Sequence, residues 1–152
     1  IDARGLPKTL EFNCRMGDPE TQPIMMRLKT DLFDVMMAAT STALDQIELQ
    51  WDRRPALGVV MAAHGYPLAP RKGDVIDGLP KEAQGDGDAV VFHAGTRRQD
   101  GATVTAGGRV LCVTALGSTV RAAQQRAYEV VHGIQFEGAQ YRKDIAHRAV
   151  KT

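Results

Sequence analysis

The 152-residue sequence has no excess of either charge: 19 Lys and Arg stand against 18 Asp and Glu, a formal balance of +1. A chain so balanced offers no basic surface for a nucleic-acid backbone, so a small-molecule partner is expected. It lacks any apolar run approaching the roughly 20 residues that a membrane-spanning helix needs. Its first residues have neither the basic nor the apolar region of a secretory signal, and a cytoplasmic location is expected. Cysteine is scarce. Cys14 and Cys112 are isolated and match neither a zinc spacing nor a redox CxxC, which points to reduced thiols rather than a disulfide. Internal repeats and low-complexity tracts are also missing. What remains, 43% apolar and 24% charged residues, is the composition of an ordinary globular chain, long enough for one well-buried core or for one domain plus the edge of another.

The chain opens on Ile1, and IDARGLPK reads as a turn whose preceding strand is lost, so a piece of a longer polypeptide is expected. Residues 9–14 alternate as a short strand, with Leu10, Phe12 and Cys14 on one side and Glu11, Asn13 and Arg15 on the other. GDPETQP then forces a loop. The periodicity of 24–39 predicts one helix, with Met25, Leu28, Leu32 and Met36 on its stripe, Pro23 in its first turn and Thr21 or Gln22 at its cap. Met25, Met26, Met36 and Met37 could mark an adaptable surface but are read most simply as core. A polar segment, 40–55, is the expected domain junction.

Beyond it, LGVVMAAHGYP predicts a buried strand and a turn. After the Gly/Asp-rich GLPKEAQGDGD come AVVFHAG, a short strand after the Asp100-Gly101 turn, and GRVLCVTALG, favouring an antiparallel arrangement. Ser118 is the expected cap of a helix whose stripe is Val120, Ala123, Ala127, Val130, Val131 and Ile134. A basic tail follows, with Arg142, Lys143, Arg148 and Lys151. The order suggests the edge of an α/β domain followed by a small α+β domain.

Function concentrates in LEFNCRMGDPETQP. On a strand, Glu11, Asn13 and Arg15 would project from one side at steps of about 6 to 7 Å. A carboxylate and an amide carbonyl are hard oxygen donors suited to Mg²⁺, and an adjacent guanidinium suits a phosphate. The loop leads into a helix N-terminus whose amides could hold a further anion. Asp18 and Glu20 add carboxylates for an amine or its proton. Read by spacing alone, the same pattern also describes a strand with one face in water and an ordinary helix cap.

The run LEFNCRMGDPETQPIMMRLKTDL resembles the signature segment of the phosphoribosylamine-glycine ligase (glycinamide ribonucleotide synthetase) family, whose members have the ATP-grasp fold. The likeness continues in order through LGVVMAAHGYP, GDVIDGLP, VFHAGT, GGRVLCVTALGSTVRAAQQRAY and YRKDIAHRA. Met16 stands where Phe is common, His64 where Gly is common, and IAHRA replaces IGWRA. The resemblance implies the C-terminal edge of an ATP-grasp domain over 1–50, followed over 51–152 by a small, mostly antiparallel α+β C-terminal domain. It implies ligation of glycine to 5-phosphoribosylamine with ATP, through a glycyl phosphate, in purine synthesis. Mg²⁺ or Mn²⁺ would meet Glu11 and Asn13. Arg15 would serve beside the phosphates as the catalytic arginine, and Gly17, Asp18 and Glu20 would lie against substrate. The family's ATP-gripping lysines and first acidic metal ligand have no counterpart here, so the piece is expected to be inactive without the missing N-terminal part. Two other readings remain open: a non-catalytic structural module, and another ATP-grasp carboxylate-amine ligase.

Overall fold

The computed structural model describes residues 1–80 and 87–150. Among these residues the elements follow in the order α1 (Thr21–Arg27), α2 (Leu32–Thr40), a 3-10 turn (Leu44–Gln46), β1 (Ala56–Ala62), β2 (Ala89–His93), β3 (Thr96–Gln99), β4 (Ala102–Thr105), β5 (Arg109–Leu116), α3 (Val120–Gly133) and α4 (His147–Val150). The main sheet has the order β1-β5-β2, antiparallel throughout, with Val59 opposite Val113 and Val91 opposite Val113 on the far side. β3 and β4 form a separate hairpin.

β5 is the spine of the core. Seven of its eight residues are buried, because α3 covers one face of the sheet and α1 the other. That double cover explains why its sequence, RVLCVTAL, is nearly continuous in apolar residues instead of alternating. In β1 the alternation survives: Leu57, Val59 and Met61 face the core shared with Ala123, Ala127 and Val131 of α3. On the opposite face Gly58 lets α1 approach, since a Cβ there would lie 3.3 Å from Pro23 Cγ and 3.2 Å from Cys112 Sγ. Cys14 and Cys112 are free thiols; burial pushes the Cys112 thiol pKa up, and its Sγ sits 3.5 Å from Thr114 Oγ1. The β3-β4 turn is Asp100-Gly101, with φ +50° and +80°. Two consecutive left-handed residues give the hairpin turn that matches strand twist, the conformation an Asp-Gly pair favours.

Five expectations need correction. Residues 9–14 form no strand: they run extended and exposed, Leu10 at 97% and Phe12 at 85%, with no ladder partner among the described residues. Alternation sorts side chains by side, but a strand also needs a neighbour for its N–H and C=O groups. The helix expected over 24–39 is two helices, because Asp31 accepts from Phe33 N and starts α2 afresh, while Leu28 leaves α1 to bridge Trp51. Neither helix holds a buried residue, so the methionines are not core, and Met36 and Met37 are exposed. Glu20, not Thr21 or Gln22, is the N-cap of α1. The cap of α3 is Thr119 rather than Ser118, its hydroxyl accepting from Ala122 N at 3.1 Å. Thr119→Ala is expected to cost about 1 kcal/mol in urea unfolding, with Ser118→Ala within about 0.3 kcal/mol of the parent. Of the Gly/Asp-rich connection, 81–86 lie outside the described residues, as does Lys151.

Arg54 ties the entry to β1 to the residue before β2, pairing with Asp52 at 2.9 Å and Asp88 at 2.7 Å. Its hydrogen bonds lower the Asp52 carboxyl from 3.8 to about 2. A depressed native pKa stabilises the fold fully above the unfolded value and is lost as the pH falls through the native one. Arg54→Ala is therefore expected to flatten the fall in thermal midpoint between pH about 4 and about 2, as thermal scans at each pH would read.

Candidate functional site

Glu11, Asn13, Arg15, Gly17, Asp18 and Glu20 all line one cleft of about 510 Å³. Extended backbone puts Glu11 and Asn13 on one side even without a ladder, and Asn13 Nδ2 donates to Glu11 Oε1 at 2.8 Å. The amide carbonyl of Asn13 is thereby turned away from the shared contact, and Glu11 keeps Oε2 open. Arg15 is exposed and, among the described residues, donates only to its neighbour's carbonyl, Met16 O, at 3.3 Å.

The turn that follows is built by backbone. Gly17 O accepts from Thr21 N at 3.0 Å and from Thr21 Oγ1 at 2.6 Å, which closes the loop onto α1. The Asp18-Pro19 peptide is cis. Glu20 folds back so that its carboxyl lies against Gly17, where a Cβ would collide with it. The expected anion site at the helix N-terminus does not develop. α1 has seven residues, Pro23 has no N–H, and Thr21 N–H is already committed.

A seventh residue completes the cleft. Arg109, the first residue of β5, donates from Nη1 to Asp18 O at 2.9 Å, places Nη1 3.3 Å from Asp18 Oδ2, and donates from Nε to Tyr66 Oη at 3.0 Å. The Tyr66 hydrogen bond, with the Asp18 charge, raises its pKa above the usual arginine value. It stands 91 residues after Asp18, so spacing could not reveal it. The only local signal is a cation opening an otherwise apolar strand just after Gly107-Gly108. Arg109 and Pro19 also border a neighbouring, more apolar cleft of about 570 Å³.

Several other basic and imidazole groups have structural partners. Arg27 donates to Asp52 O at 3.1 and 3.2 Å, Arg142 pairs with Asp144 at 2.7 Å, and His93 Nδ1 lies 2.9 Å from Thr96 Oγ1. His64 and His132 are exposed.

Among the described residues no three His, Cys, Asp or Glu side chains gather into a complete metal cage. Glu11 and Asn13 nevertheless fit part of a Mg²⁺ or Mn²⁺ site. Their chemistry is hard oxygen, and such ions are commonly held by one or two protein groups plus substrate phosphates and water.

Comparison with known proteins agrees with this architecture. A family model described as "Phosphoribosylglycinamide synthetase, C domain" matches residues 56–148. A protein of Ralstonia nicotianae named phosphoribosylamine--glycine ligase is 68% identical over 151 residues, covering 99% of this chain and 35% of its own length. Namesakes from Vibrio parahaemolyticus and Pseudomonas aeruginosa are 57% and 56% identical, each covered over 34% of its length. The crystal structure of phosphoribosylamine--glycine ligase from Thermotoga maritima superposes with a TM-score of 0.73 at 40% identity, over 93% of this chain and 34% of that one. The chain thus spans about a third of the length of the relatives it matches. By the family model's match and these identities, the chain belongs to the phosphoribosylglycinamide synthetase C-domain family.

Proposed function

We propose that this chain forms one wall of the active site of an ATP-dependent ligase that joins glycine to 5-phosphoribosylamine, giving glycinamide ribonucleotide, ADP and phosphate. The observation that carries the reading is the convergence of Glu11, Asn13, Arg15, Gly17, Asp18 and Glu20 on one cleft. The names of the relatives support it. In this reading 1–50 belong to an ATP-grasp domain and 51–152 to a C-terminal domain. The full-length ligase supplies the other wall, including the groups that grip ATP, and works in the cytoplasm. No helix among the described residues is long and apolar enough to cross a membrane.

The chemistry runs in two steps. A carboxylate oxygen of glycine attacks the γ-phosphorus of ATP, and the bond to ADP breaks. The amine nitrogen of phosphoribosylamine then attacks the acyl carbon of the glycyl phosphate; a C–N bond forms, and inorganic phosphate leaves with the acyl oxygen. Arg15 lies against the transferring phosphoryl group and offsets its charge, which stabilises the transition state more than the ground state. Glu11 and Asn13 would hold Mg²⁺ or Mn²⁺, which would supply further charge neutralisation at the phosphates. Asp18 and Glu20 offer carboxylates for the amine and the proton it sheds, while Gly17 leaves room for the Glu20 carboxyl.

The presence of Arg109 in the cleft favours this reading over a purely scaffolding role for the second unit. The test is product formation by the full-length ligase. ADP release is expected only when glycine and phosphoribosylamine are both supplied, with glycinamide ribonucleotide identified by mass. ADP release that ignores glycine, or turnover of another acceptor in preference, would overturn the assignment.

A further inference from the structure

The cleft holds three carboxylates: Glu11 accepts from Asn13, Asp18 faces Arg109, and Glu20 has no such partner among the described residues. Asp18 is held twice by Arg109, through its carboxylate at 3.3 Å and its carbonyl at 2.9 Å, and Tyr66 fixes the guanidinium from a third direction at 3.0 Å. Glu20 lines the same cleft with no hydrogen bond or ion pair to its carboxylate among the described residues. With Asp18 71% exposed and Arg109 39% exposed, their ion pair contributes little to stability, so its effect lies in geometry.

We propose that Arg109 is a positioning residue for the ligation: it commits Asp18 to the loop and leaves Glu20 as the carboxylate that meets the attacking amine. The proposal rests on the ligase reading above. Arg109 holds Asp18 Oδ2 toward β5 and leaves its other oxygen for a second donor, whereas neither carboxylate oxygen of Glu20 has a hydrogen-bond partner among the described residues. As the C–N bond forms and the C–O bond to phosphate breaks, the amine proton passes to Glu20. Arg109 opens β5, the most buried strand among the described residues, and so ties the loop to the core sheet. A misplacement of about 1 Å at such a site can cost on the order of 10²-fold in rate.

The test is steady-state kinetics of the full-length ligase with ATP, glycine and the amine each varied. Glu20→Gln is expected to lower kcat by about 10²-fold or more, and Asp18→Asn by less than about 10-fold. Arg109→Ala is expected to lower kcat/KM for the amine by about 10²-fold while the KM for ATP moves less than about threefold, with Arg109→Lys recovering part of the loss. The proposal is overturned if Asp18→Asn is the more damaging carboxylate change, if the KM for ATP rises as much as that for the amine, or if Lys is no better than Ala. Should the parent make no glycinamide ribonucleotide, the ligase reading fails. Hydrogen exchange at Thr21 N–H, bonded to Gly17 O, then reads the tie alone. Faster exchange in Arg109→Ala supports the tie, and an unchanged rate refutes it.

Discussion

Glu11→Ala in the full-length ligase is expected to lower kcat by about 10²- to 10³-fold, the scale on which removing one preorganised charge-stabilising group acts in other sites. The reason is the local chemistry of the cleft. Glu11 supplies the carboxylate that accepts from Asn13, and the 2.8 Å hydrogen bond between them sets which oxygen each can offer. Truncating Glu11 removes a charged donor and also frees the Asn13 amide to rotate. Asn13→Ala removes a neutral donor, so its loss is expected to be about 10- to 10²-fold. Glu11→Gln separates the two effects: it can preserve the pair with Asn13 but removes the charge, and its loss should stay close to that of Glu11→Ala. The metal concentration giving half-maximal activity should rise in all three. Full activity in Glu11→Ala and Asn13→Ala together would remove these residues from the metal assignment.

Leu111→Ala is expected to destabilise the chain by about 3 kcal/mol, read from the urea midpoint at unchanged slope. Leu111 is fully buried on β5, opposite Met61 of β1 and His93 of β2. Its neighbours are held on both sides of the sheet and from α3, so they have little freedom to collapse into the space left behind. Leu10→Ala, on a side chain of similar chemistry that lies exposed, should change stability by less than about 0.5 kcal/mol. A comparable loss at both positions would contradict the placement of the core.

The second half of the chain was the more legible in sequence, for physical reasons. β5 and the α3 stripe are dictated by burial, and burial leaves a pattern of apolar residues. The Asp100-Gly101 turn is dictated by positive φ at two adjacent positions, which few residue pairs satisfy. The first half was misread where competing signals were equal in strength. The apolar period runs straight through 28–31, but Thr30 accepts from Gln50 N at 2.7 Å and Asp31 from Phe33 N at 2.8 Å, and those contacts break the helix. For 9–14, alternation identified which groups share a side and could not supply a strand partner. The cleft followed the same division. Its six residues within ten positions were legible because extended backbone and a tight turn keep near neighbours together. Arg109 was not, since only the folding of β5 against the loop brings it to Asp18.

The central claim is that this chain carries one wall of a ligase site and needs the opposite wall to work. The most direct measurement is ADP and glycinamide ribonucleotide formation by the full-length ligase and by this 152-residue chain at equal molarity, with glycine, phosphoribosylamine, ATP and Mg²⁺ present. The account predicts glycine-dependent turnover by the full-length ligase and none above background by the chain. Measurable turnover by the chain alone, or a full-length ligase that forms no glycinamide ribonucleotide, would contradict it.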